Sequence, residues 1–153
     1  MKLKQKLYCN TLGCKMAYAV KGIMRRLAAR FASQDVDLTL EQYFILNILD
    51  NEEGLILQDL ANIVDRDKSA VLRHIDGLEE HCFVVRTTDA NDKRRKILIV
   101  TKPGLKELEK ARKLEEKVHQ EITGHLKGEK LKEFEEILSK IYKKTLSLSL
   151  IHI

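Results

Sequence analysis

Between Leu57 and Thr101 the chain reads as two short helices followed directly by two short β-branched runs. "LQDLANIV" (57–64) places Leu60, Ala61 and Val64 on one side of a helix. "DRD" interrupts it, and Asp67 can cap a further helix over 68–81, "KSAVLRHIDGLEEH". In that second helix Val71, Ile75 and Leu78 face inward, while Lys68, Ser69, Arg73 and Asp76 face out. Two short helices joined by a tight polar turn, the second with a basic outer face, describe a helix-turn-helix. "FVVRT" (83–87) and "KILIVT" (96–101) then predict a hairpin with a polar tip. A helix-turn-helix followed by such a hairpin is a winged helix.

Longer helices flank this module. Leu12, Met16, Val20, Ile23, Met24, Leu27 and Phe31 form one apolar face over 12–31. Thr39 with Gln42 makes a capping box that opens a helix through "EQYFILNILD", whose apolar middle predicts burial. Gly54 ends that unit. Thr101 caps another helix, with Pro103 tolerated in its first turn and Leu105, Leu108, Ala111, Leu114, Val118 and Ile122 as its stripe. "KGEK" (127–130) punctuates, and a last helix runs from Leu131 into an apolar tail, "LSLSLIHI". The predicted fold is mainly α with a small β-hairpin wing: one domain over 1–153. The winged helix-turn-helix lobe spans 38–101, and long dimerisation helices lie in 1–34 and 102–153. So small a module cannot cover all three outer stripes, which predicts a homodimer.

Composition narrows the function. The chain has 153 residues, enough for one domain with a real core, and its longest apolar run near the basic N-terminus is only "MAYAV" (16–20). That is too short for a signal core or a membrane span, so the expected location is cytoplasmic. Three cysteines do not suggest a secreted disulfide framework. Residues 1–30 carry eight Lys/Arg and no acid, residues 31–65 carry eight Asp/Glu and no Lys/Arg, and residues 66–102 carry nine bases against six acids. The histidines show no metal spacing, and there is no phosphate loop or nucleophile elbow, so neither an enzyme nor a cofactor is expected.

The basic excess concentrates where a winged helix meets nucleic acid. Lys68, Ser69 and Arg73 stand near the start of the second helix, where N–H groups and a hydroxyl suit phosphates and a long Arg reaches a guanine edge. Arg66 in the turn is a phosphate candidate. A solvated basic face is the plain alternative. The hairpin tip "TTDANDKRRK" (87–96) holds six charged residues in ten. Lys93, Arg94, Arg95 and Lys96 concentrate positive potential, and a narrow A·T-rich minor groove attracts arginine. Asp92, two residues before Arg94, can hold that guanidinium in one pose and lower the ordering cost of binding.

The segment "LQDLANIVDRDKSAVLRHIDGLEEHCFVVRTTDANDKRRKILIVTKPG" resembles the MarR family of bacterial transcription regulators. The matching features are "LA" in the first helix, "DKS…R" opening the second and "LE" near its end. Arg86 at the start of the wing, "D…DxR" across it and "VTKPG" after it complete the pattern. The resemblance is tight over 57–104, and the flanking helices match in length and order only. It implies a repressor that binds a pseudo-palindromic operator as a homodimer. Arg94 would be its minor-groove finger and Asp92 the brace, with Arg86 and Asp89 a second pair stiffening the hairpin base. It also implies a small anionic aromatic effector between the dimer helices and the DNA-binding lobe, where the cationic first helix (Lys15, Lys21, Arg25, Arg26, Arg30) could attract it. Some members sense peroxides through a cysteine near the start of the first helix, the region of Cys9 and Cys14. Two small residues at a dimer seam is the favoured reading of that pair, with a thiol-based redox switch as the alternative. Two departures stand out. The family usually has glycine where this chain has Cys82, expected here to be a buried packing residue. A polar residue is common where Leu72 stands, which argues against base readout there. The rival from another class is a winged helix used for protein–protein contact, with no operator.

Overall fold

The computed structural model describes residues 10–126 and 128–149. Among them run α1 (Leu12–Ser33), α2 (Leu40–Asn51), α3 (Leu57–Ile63), α4 (Lys68–Glu80), β1 (Val84–Thr88), β2 (Lys96–Val100), α5 (Lys102–Thr123) and α6 (Glu129–Ser149). The chain divides into two compact units at Glu115/Glu116, within α5. Helices with a hairpin wing are the predicted architecture. Among the described residues no helix is long and apolar enough to cross a membrane.

The helix starts follow from side chains that satisfy orphan amides. Thr11 Oγ1 accepts from Cys14 N at 3.3 Å and opens α1. The Thr39–Gln42 capping box has both arms, Thr39 N to Gln42 Oε1 at 2.9 Å and Gln42 N to Thr39 Oγ1 at 3.2 Å. Asp67 Oδ1 accepts from Ala70 N at 2.9 Å and opens α4. For α3 the cap is supplied from inside the helix, because Ile56 N donates to Asp59 Oδ2 at 3.1 Å.

The core of the first unit is built around α2, which buries Tyr43, Ile45, Leu46 and Leu49. Leu27 and Phe31 reach it from α1, and the Phe31 and Tyr43 rings meet edge-on with centroids 5.5 Å apart. Leu60 and Ala61 from α3, and Val71, Ile75 and Leu78 from α4, are also sealed. Burying one such leucine or isoleucine side chain stabilises by about 1.5–3 kcal/mol. A polar bridge joins α2 to the first part of α5. Tyr43 Oη donates to Glu115 Oε2. Arg112 Nε donates to Asn47 Oδ1 at 2.9 Å, and its Nη2 lies 2.8 Å from Asp50 Oδ2. Burial first, then the bond to Glu115, pushes the Tyr43 phenol well above its ordinary range, so it stays a neutral donor.

The wing is a two-stranded antiparallel hairpin with Arg86 opposite Leu98 and Thr88 opposite Lys96. The segment before α3 adds an isolated bridge to β2: Leu98 N donates to Leu55 O at 2.8 Å, and Ile56 pairs with Ile97. The hairpin closes where four elements meet. Thr101 N donates to Phe83 O at 3.0 Å, Thr101 Oγ1 donates to Cys82 O at 2.6 Å, and the same hydroxyl oxygen accepts from Gly104 N at 3.1 Å. Gly104 sits directly on this turn. A Cβ there would overlap the Phe83 carbonyl oxygen and come within 2.9 Å of its carbon.

Two expectations change. Cys82 is exposed rather than buried, because it occupies the turn just past α4 while Leu78 and Phe83 take the core seats on either side. Its φ is +58°, the left-handed conformation that ends the helix, and a cysteine holds it where glycine would do so without strain. The apolar stripe of α1 is buried only at its end, at Leu27 and Phe31, while Leu12 and Val20 are exposed. In the second unit α6 exposes Phe134, Ile137, Leu138, Tyr142 and Leu146. The tail beyond Ser149 lies outside the described residues.

Urea unfolding at fixed protein concentration separates the two backbone constraints. Gly104→Ala should lower stability by about 2–3 kcal/mol through overpacking against backbone. Cys82→Gly should raise it by about 0.5–1 kcal/mol by relieving the left-handed residue.

Candidate nucleic-acid interface

The turn between α3 and α4 is held by backbone bonds from Asp65 N to Asn62 O at 3.3 Å and from Arg66 N to Ala61 O at 3.1 Å, with Asp65 in the left-handed region. This exposes Arg66 and delivers Asp67 to the head of α4. Besides capping Ala70 N, Asp67 Oδ1 accepts the Ser69 hydroxyl. The Ser69 bond first, then the Ala70 amide, holds the Asp67 carboxyl below the ordinary range. So the Ser69 hydroxyl, a phosphate candidate from sequence, is already donated within the chain. Lys68 and Arg73 stand exposed on the same helix.

The wing tip is shaped by its acids. Asp89 N donates to Arg95 O at 3.0 Å, and Arg95 N donates to Asp92 O at 2.9 Å. Asp89 Oδ1 accepts from Asn91 N at 2.7 Å. Asp92 Oδ1 accepts from Arg94 N at 3.0 Å and lies 3.4 Å from Arg94 Nε. The expected Asp92–Arg94 pair is therefore present, with the firmer grip on the backbone. The Arg94 side chain remains 93% exposed. Lys93, Arg95 and Lys96 are exposed too, and Lys96 Nζ donates across the hairpin to Thr88 Oγ1 at 2.6 Å.

The second wing pair needs correction. Arg86 does not pair with Asp89. Its Nη2 lies 2.7 Å from Asp76 Oδ1 and its Nη1 2.6 Å from Glu79 Oε2, both on α4. Asp89 instead faces Arg95, with Nη1 to Oδ2 at 3.7 Å. Strand pleating explains the exchange. Arg86 shares a face with the buried Val84, and its cross-strand neighbour Leu98 is buried as well, whereas Asp89 lies three residues on, at the turn. Asp76 and Glu79 precede Arg86 across a helix end and a turn, so no helical or strand period could have signalled them. Their effect is to tie the base of the wing to the outer side of α4.

Cys14 is disulfide-bonded. Cys9 lies outside the described residues. Cys82 is a free thiol.

A charged, braced wing stands beside a helix-turn-helix. The MarR family model matches residues 38–96. Over these residues the lobe is similar to that family. A Thauera aromatica protein assigned to regulation of the hcr operon is 34% identical over 83 residues, covering 54% of this chain and 50% of that one. The transcriptional regulator HosA of Escherichia coli O157:H7 is 26% identical over 131 residues, covering 86% of this chain and 97% of its own. Among solved structures, the transcriptional repressor CouR bound to a 23-mer DNA duplex superposes with a TM-score of 0.75 at 26% identity, covering 86% of this chain and 92% of that one. The MarR-type architecture thus extends beyond the matched lobe over most of the chain.

The two wing arginines should behave differently when removed. Arg86→Ala should destabilise the fold by about 1 kcal/mol, since its partners are only partly exposed, and the loss should shrink in high salt. Arg94→Ala should change stability by less than about 0.5 kcal/mol, as expected for an exposed side chain. Denaturant titrations at two salt concentrations measure both.

Proposed function

We propose that this chain is a sequence-specific regulator of transcription that binds double-stranded DNA as a homodimer and acts as a repressor. One observation carries the reading. Arg94 stands exposed on an acid-braced tip, and the wing beneath it is ion-paired through Arg86 to the helix that bears Lys68 and Arg73. Each subunit would set α4 in a major groove and the tip in the flanking minor groove. Arg66, Lys68 and Lys93 would meet phosphates, while Ser69, its hydroxyl donated to Asp67, holds the cap of that helix. Arg73 would meet a base edge, and Arg95 would add to the field at the tip. The resemblance to a repressor solved on DNA supports this use of the fold.

The apolar residues left exposed on α1 and α6 support the homodimer, since a second chain is the natural cover for such stripes. Two-fold symmetry then calls for a pseudo-palindromic operator with half-sites about 10 bp apart, or a multiple. Release by a small anionic aromatic effector rests on the family and on the basic residues of α1.

Selection from random duplexes tests the regulator reading. A palindromic site should emerge, and its affinity should fall with salt at a slope near −0.9 per neutralised phosphate. Arg94→Ala should weaken binding to that site by about tenfold with the dimer intact. If no site emerges, the winged helix is a protein–protein module instead.

The thiol alternative has one observation in its favour, the disulfide at Cys14. Operator affinity measured with and without dithiothreitol, in the parent protein and with Cys9 and Cys14 changed to Ser, decides it. A change on reduction that the double variant loses supports the switch. Equal affinity in all four samples removes it.

A further inference from the structure

The exposed stripe of α4 runs through Ser69, Leu72, Arg73 and Asp76, the i, i+3, i+4, i+7 positions of one helix face. Two of the four are engaged inside the chain. The Ser69 hydroxyl is donated to Asp67, and the Asp76 carboxylate is held by Arg86. The middle of the stripe is thus Leu72 beside Arg73. Leu72 is 37% exposed, while the inward seats of the helix belong to Val71, Ile75 and Leu78, each at 1% or less. The core leaves part of Leu72 to solvent. It is an apolar side chain at the centre of a polar face, on the helix that the regulator reading places in a major groove.

The edges of the four base pairs there offer donors, acceptors and one apolar group, the C5-methyl of thymine. A leucine cannot satisfy a base donor or acceptor. Pressed against those edges it would strip water from polar groups and return nothing. Against a thymine methyl, both surfaces leave water together. We propose that Leu72 is a specificity-determining residue that reads a thymine 5-methyl group in each half-site. This rests on the regulator reading. Leu72 therefore does take part in base readout, by apolar contact rather than by the hydrogen bonding that a polar residue would supply.

The test uses the full-length protein and the duplex selected from random sequence. Each thymine is replaced in turn by deoxyuridine, which removes the methyl group and leaves the pairing edge unchanged. At one position per half-site, uracil should weaken binding about fourfold, the worth of one buried methyl-sized group. With both half-sites substituted the loss should approach roughly sixteenfold if the sites add. Leu72→Ala should bind the thymine and uracil duplexes equally, and its circular dichroism and dimer should match the parent protein. A selected site whose every thymine tolerates uracil overturns this inference and leaves the regulator reading standing. So does a Leu72→Ala protein that keeps the full uracil penalty. Failure to select any site overturns the regulator reading and this inference with it.

Discussion

The closure at Thr101 is the contact on which the winged helix-turn-helix lobe depends. One hydroxyl donates to the carbonyl of Cys82 and accepts from the amide of Gly104, while the Thr101 amide donates to Phe83. Four directions are set there at once: the exit of α4, the start of β1, the end of β2 and the entry to α5. Phe83 and Val84 are buried just beyond it, so the joint is anchored in the core rather than carried by a loop. An angular error at this point would be magnified along the hairpin to its tip. That is reason enough for the density of bonds around a single threonine.

From that joint outward, the acids of the wing act on shape and the bases on potential. Asp89 and Asp92 spend their oxygens on amides of the turn and on neighbouring guanidiniums. Asp76 and Glu79 neutralise Arg86 at the base. What remains exposed at the tip is positive. The tip, with four bases against two acids, therefore presents a surface more biased than its count, because its two signs are partitioned by role. An arginine whose backbone is already ordered also gives up less freedom on contact than one on an open loop.

How much of this was legible in the sequence depends on the range over which each signal acts. The helices, the Thr39–Gln42 box, the Asp67 cap and the Thr101 cap are read over three or four residues, and all are present as expected. The Asp92–Arg94 brace is similarly local. The partners of Arg86 were not legible, since pleating and the hairpin's packing on α4 decide them. The polar bridge of Tyr43 and Asn47 to Glu115 and Arg112 spans separations of 72 and 65 residues, which no periodicity reports. The bridge from Ile56 to Ile97 involves a single residue on each side, below the length at which alternation can be recognised. Cys82 departs from its expected burial for a related reason. Its type suggests burial, and the backbone turn it occupies overrides type.

The two residues that flank the Phe83 carbonyl in space place unequal demands on any sequence that drifts within this fold. At position 104 the backbone of another segment fills the room a side chain would need, so no other residue can be accommodated without moving the joint. At position 82 there is open solvent and only a conformational preference to meet. Position 82 can therefore wander among residue types, each carried by a small loss of stability, and can acquire chemistry there without disturbing the lobe. Position 104 is closed to such exploration, and a lineage that lost its glycine would have to rebuild the wing.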